Sequence, residues 1–213
     1  TKLIMHRSFS ETLFLCYKAC VGGGVDIGNA QDIASSAAKI GAYQFKFFDF
    51  LPSLIQASKE PPLSLNASSQ VAKFESISVV RNASFLIDCL QSNLYKKIYI
   101  KHIDSILLLA GTCIHLAPEL KVLISLNDRV VAGIHQYSLL AGKEFLSFTK
   151  ADNLRLEIVN QFDDNLALLQ PSDTLFIEEK IWRELEALAA NTYVPETEHS
   201  RLEGAGAGLT DND

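Results

Sequence analysis

The chain has 213 residues, carries 19 Lys and Arg against 25 Asp and Glu for a formal net charge of −6, and is 48 % hydrophobic. With 21 % charged residues and a mean hydropathy of +0.13, it lacks the composition of a disordered chain. It also lacks the clustered Lys and Arg of a protein that coats nucleic acid or anionic lipid. A chain this long buries roughly 70 % of its unfolded surface, which allows a sizeable core.

In chain order, Ser8-Phe9-Ser10-Glu11 predicts a capping box, and a helix follows to Gly22-Gly23-Gly24. Asp26 predicts the start of a second helix ending near Gly41, with Ala30, Ile33, Ala34, Ala37 and Ala38 on its inner face. The two form a helical hairpin. Phe45 to Ile55 is a third apolar segment that Pro52 kinks or restarts, and Lys59 to Ser69 reads as a loop. Ser76 to Val80 reads as a strand, Ala83 to Leu90 as a short helix, and Ile98 and Ile100 mark another strand, alternating with Tyr99 and Lys101. Asp104 is expected to cap a helix that Pro118 stops. Leu120–Leu126 and Arg129–His135 read as a hairpin around Asn127-Asp128. Leu154 to Ile158 is the cleanest half-buried strand, and Leu166 to Leu169 is expected to pair with it through a turn at Asp163-Asp164-Asn165. Glu178 to Ala190 is the last helix. The reading is an α+β fold: an N-terminal helical hairpin, a central mainly antiparallel sheet, and a C-terminal helix with a Gly-rich tail. Residues 1–203 are expected to form a single domain, helical over 8–57 and mixed α/β over 70–190, with 204–213 as the tail.

The most apolar stretch, Ile106 to Ala117, is shorter than the about 20 residues that span a bilayer. No signal peptide is evident, and Met5, the only methionine, is a candidate start. Cys16, Cys20, Cys89 and Cys113 all sit in apolar helical stretches, as reduced structural thiols do. A cytoplasmic protein with neither a membrane nor a nucleic-acid partner is expected.

Two stretches resemble an uncharacterised bacterial family of cytoplasmic proteins known only as a domain of unknown function. One is Ser10-Glu11, Lys18-Ala19, Gly22, Gly24 and Gly28-Asn29-Ala30. The other, more specific, is Leu188-Ala189, Thr192-Tyr193-Val194-Pro195, Glu196, Ser200-Arg201 and Gly204 to Asp213. The resemblance implies no known activity.

The chemistry-bearing residues concentrate near the C-terminal end. Arg201 can grip a carboxylate or phosphate in a bidentate fork, and Thr192, Tyr193, Glu198 and Ser200 stand near it in sequence. Gly204, Gly206 and Gly208 could cradle an anion, and Asp211 and Asp213 could bind a hard cation. Yet no GK[ST] follows a strand, and the aspartate spacing matches no calcium loop, so the glycines are read as a tail folded over the domain or a neighbour. The histidines show no metal spacing, the Gly22–Gly28 loop lacks the preceding strand of a dinucleotide fingerprint, and no serine has an acid and a base nearby in sequence. No metal or cofactor is expected. The favoured function is a non-catalytic assembly or binding module, forming a homo-oligomer, whose tail packs on itself or a partner. The alternative is a small-molecule enzyme or enzyme subunit holding an anionic metabolite near Arg201 and the tail.

Overall fold

The computed structural model describes residues 3–57, 65–92, 94–162 and 165–193. A short strand, β1 (Ile4–Arg7), leads into α1 (Phe9–Gly22). The reciprocal capping box is present: the Glu11 N–H donates to Ser8 Oγ at 3.2 Å and the Ser8 N–H to Glu11 Oε2 at 2.9 Å. α2 (Ile27–Gly41) begins at Asp26, whose Oδ1 accepts from the Asn29 N–H at 3.0 Å. A 3-10 turn over Phe45–Phe50 then passes into α3 (Leu51–Ala57). Pro52 lies in the first turn of α3, where a missing N–H costs nothing.

The strands β2 (Leu65–Ser68), β3 (Gln70–Ile77), β4 (Tyr95–Ile103), β5 (Val122–Leu126), β6 (Arg129–His135), β7 (Ser138–Ala141) and β8 (Ala151–Ile158) follow. Among the described residues they form one sheet in the order β2-β3-β4-β8-β5-β6-β7. All pairings are antiparallel except that of β3 with β4, between which α4 (Val79–Gln91) carries the chain back. The fold is α+β.

One face of the sheet receives α4 and α5 (Ile106–Leu116). α5 lies between the sheet and α2, and nine consecutive residues from Ile106 to Ile114 are buried. A helix covered on every side has to be apolar all round, and this one is. α1 packs on α2, and α6 (Glu179–Ala190) packs on α1 through Ile181, Leu185, Leu188 and Ala189. The core runs as one cluster of buried residues from α1 to α6. All four cysteines are buried and unpaired, and burial pushes the Cys20 and Cys113 thiols up to about 12. Among the described residues no helix is long and apolar enough to cross a membrane.

Several local expectations are corrected. Leu65–Ser68, read as loop, is strand β2, with all four residues exposed. β3 starts at Gln70, well before Ser76, while Val79 and Val80 open α4 instead of ending a strand. Leu166–Leu169 does not pair with β8, whose two edges are taken by β4 and β5. It lies along β7 instead: the Leu169 N–H donates to the Leu139 carbonyl and the Ala141 N–H to the Ala167 carbonyl, both at 2.9 Å. Asp163 and Asp164, placed in the connecting turn, lie outside the described residues. Three short strands had no sequence signal: β7, and the ribbon of β1 with β9 (Leu175–Glu178).

Asp104 does not cap α5. Ser105 does, its Oγ accepting from the Leu108 N–H at 3.2 Å, while Asp104 Oδ1 accepts from the Val79 N–H at 2.9 Å at the start of α4. Burial raises the Asp104 carboxyl above its ordinary value, opposed mainly by that Val79 hydrogen bond and then by the Ser78 hydroxyl. A carboxyl raised on folding favours the folded state below its unfolded value, and that advantage is lost as pH rises through the folded value. Asp104→Asn keeps an acceptor for Val79 and removes the buried charge. Its melting temperature is expected to exceed that of the parent at pH 7 and to converge with it below about pH 4. A variant equally destabilised at both pH values would contradict this account.

Candidate functional site

Of the residues singled out in the sequence, Thr192 and Tyr193 are described, in the turn that ends α6. The Thr192 hydroxyl donates to the Ala189 carbonyl at 2.7 Å, so it serves the helix terminus. Tyr193 is exposed, and Lys18 of α1 reaches it: Nζ lies 3.3 Å from the phenol oxygen and 4.7 Å from the ring centroid. The same ammonium lies 4.7 Å from the Phe14 ring. Glu198, Ser200, Arg201, Gly204, Gly206, Gly208, Asp211 and Asp213 lie outside the described residues.

The described residues place a larger concavity elsewhere, on the sheet face turned away from α4 and α5. Strand alternation builds it. On β3, Lys73 and Glu75 face outward while Ala72 and Phe74 are buried; on β4, Tyr99 and Lys101 alternate with buried Ile98 and Ile100. On β8, Asn153 and Arg155 alternate with buried Leu154 and Leu156. Register aligns these strands so that Lys73, Tyr99 and Arg155 form one straight row. The row continues to Ser125 of β5. Beyond it, the segment after β8 closes over β6, where Phe162 sits 3.0 Å from the Cβ position of Gly133. The cavity over β3, β4 and β8 has a volume of about 690 Å³, within the size range of small-molecule sites.

Its charges are mostly committed. Lys101 pairs with Glu75, and that contact holds the Glu75 carboxyl below its ordinary value. The Arg155 guanidinium reaches Asp128 at 3.0 Å, Ser125 Oγ at 3.4 Å and Glu157 at 3.5 Å, which ties the β5–β6 turn to the sheet face. Glu157 in turn meets Lys97 at 2.7 Å. Among the described residues no carboxylate pairs with Lys73. It is the cation left for a ligand.

The rim turns through positive φ at three residues. Asn127 and Asp128 turn through φ 46° and 64°, as a two-residue hairpin connection requires. Asn153 has φ 52° within β8, a conformation that an L-residue in a strand adopts only when its surroundings hold it there. Two contacts do so: its carbonyl accepts from the Asn127 N–H at 3.2 Å, and its Nδ2 donates to Asn127 Oδ1 at 3.1 Å.

A second group comes together at the other end of the same strands. Ser76, His102 and Asp152 share one register row, with His102 Nδ1 2.7 Å from Asp152 Oδ1. No acid and base beside a serine were visible in sequence, because the three residues come from three strands. The His102 and Asp152 side chains are 53 % and 71 % exposed, so water competes for every contact. A hydrolytic relay needs a buried orienting acid, and this row does not supply one.

No protein-family model matches the chain, and no curated protein matches it. The site therefore has to be read from its own chemistry. Sequence reasoning missed Lys73, Tyr99, Lys101, Asn153 and Arg155 as a group. The polar faces of their strands were visible as alternation, but the register that brings them together was not.

Proposed function

We propose that this chain is a ligand-binding module whose open sheet face holds a small anionic ligand. The supporting observation is the row Lys73–Tyr99–Arg155 in a concavity of about 690 Å³, with Lys73 unpaired among the described residues. A cation without a carboxylate partner beside a half-buried ring and a hydrogen-bonded rim is an arrangement that a merely solvated sheet face does not need. The unpaired buried thiols support a reducing, cytoplasmic setting for this activity. The C-terminal glycines and Arg201 have no part in this reading.

The test is a thermal-shift panel of organic acids and phosphorylated metabolites, run on the parent chain and on Lys73→Gln. A ligand present at about 100 times its dissociation constant adds about 2.7 kcal/mol of stability. One or more compounds are expected to raise the parent's melting temperature, with the shift reduced in Lys73→Gln and weakened by salt. A panel silent on the parent, or a hit that Lys73→Gln leaves intact, overturns the proposal.

A further inference from the structure

Beyond its cation, the open face carries an aromatic ring and three carboxamides, and an anion alone uses none of these. Tyr99 sits at the centre of the row with Lys73 on one side and Arg155 on the other. Aromatic side chains on an exposed sheet face serve as platforms for flat ring systems. Asn127 and Asn153 are fixed to each other by one amide-to-amide hydrogen bond. Whichever way the two amides are oriented, a single bond between them leaves one NH₂ group and one carbonyl oxygen outside that bond. Both residues line the cavity, and carboxamides supply the donors and acceptors that the polar edges of nucleobases take. Asn66 of β2 lines the same cavity.

We infer that the ligand is a nucleoside monophosphate, its base against Tyr99 and the Asn127–Asn153 pair and its phosphate on Lys73. This rests on the anion-site reading and gives that ligand a chemical class. Charge decides for a mononucleotide over a polymer. Lys101 and Arg155 already face Glu75 and Asp128, so Lys73 is the cation left for phosphate, and the chain carries −6 overall. A polynucleotide gains its affinity from several phosphate contacts at once, and this face offers the charge for one.

Calorimetric titration of the full chain tests this with adenosine, guanosine, cytidine and uridine monophosphates, the parent nucleosides, inorganic phosphate, and a single-stranded oligonucleotide. At least one monophosphate is expected to bind tenfold or more tighter than both inorganic phosphate and its own nucleoside. Tyr99→Ala should weaken that binding about tenfold or more, as loss of one base–aromatic stack does. Tyr99→Phe should retain it, which separates loss of the ring from loss of the fold, and Lys73→Gln should reduce it to the level of the nucleoside. If inorganic phosphate binds as tightly as every monophosphate, the nucleotide assignment falls while the anion site stands. If the oligonucleotide binds tighter per site than any monophosphate, the choice of a mononucleotide is wrong. If neither the monophosphates nor phosphate bind while an organic acid of the thermal-shift panel does so through Lys73, the nucleotide assignment falls and the anion site stands; if nothing in either set binds, both fail.

Discussion

Replacing Phe48 with Ala is expected to cost about 3–5 kcal/mol of folding stability, as truncation of a buried phenylalanine does. Phe48 is wholly buried, and its ring lies 5.6 Å from that of Phe47 at a tilt of 58°. It fills the space beside the last residue of α2: a Cβ on Gly41 would lie 2.3 Å from the ring edge. The ring thus locks the end of α2 to the 3-10 turn that follows, and Ala leaves a void against the α2 backbone that cannot collapse freely. For a chain of this size each kcal/mol is worth about 2–4 °C in melting temperature, so a drop of roughly 6–20 °C is expected. Urea unfolding at constant m-value measures it directly. A loss below about 1 kcal/mol would show that this corner repacks and that the α2 contact is not specific.

Gly111→Val is the second large effect, and it works through overpacking instead of a void. Gly111 lies on α5 where that helix crosses α2, and a Cβ there would stand 2.4 Å from the Ser36 carbonyl oxygen and 3.1 Å from Ile40 Cβ. The nearer atom is backbone, so no side-chain rotation relieves the clash and the helices must separate. Overpacking costs about 1–3 kcal/mol, and a rigid contact puts this site at the upper end. Removing glycine from a helix interior returns less than about 1 kcal/mol. The net expectation is a loss of about 2 kcal/mol, read as a lower denaturation midpoint. A neutral or stabilised variant would mean that α2 and α5 are further apart than described.

The helical third was legible because its signals are local. Ser8 with Glu11 and Asp26 with Asn29 are contacts three residues apart, and the sequence shows both partners together. The β5–β6 hairpin was legible for the same reason, since Asn127-Asp128 tolerates positive φ. The next hairpin, between β6 and β7, turns through Gln136 and Tyr137 at φ 48° and 63°, residues with no such preference, and so it passed unseen. The β1–β9 ribbon joins the two ends of the described chain, and four-residue strands carry too little alternation to announce themselves. Asp104 misled because an aspartate before a helix looks like a cap, whereas burial directs it to the neighbouring helix α4.

The open face was illegible for a deeper reason. Lys73, Tyr99 and Arg155 are ordinary outward-facing residues on three separate strands, and β4 and β8 become neighbours only when β8 inserts between β4 and β5. Nothing local in the chain specifies that insertion. By contrast, the glycines and Arg201 near the C-terminal end are conspicuous in sequence because they are contiguous. Contiguity made one region prominent, and topology assembled the other.

The central claim is that a small anionic ligand occupies the face over β3, β4 and β8. Mapping backbone amide shifts during titration with the most stabilising compound of the panel tests it most directly. The account predicts changes centred on Lys73, Tyr99, Lys101, Asn127, Asn153 and Arg155, with the α1–α6 surface around Lys18 and Tyr193 unmoved. Changes centred on Lys18 and Tyr193, with the sheet face silent, would contradict it.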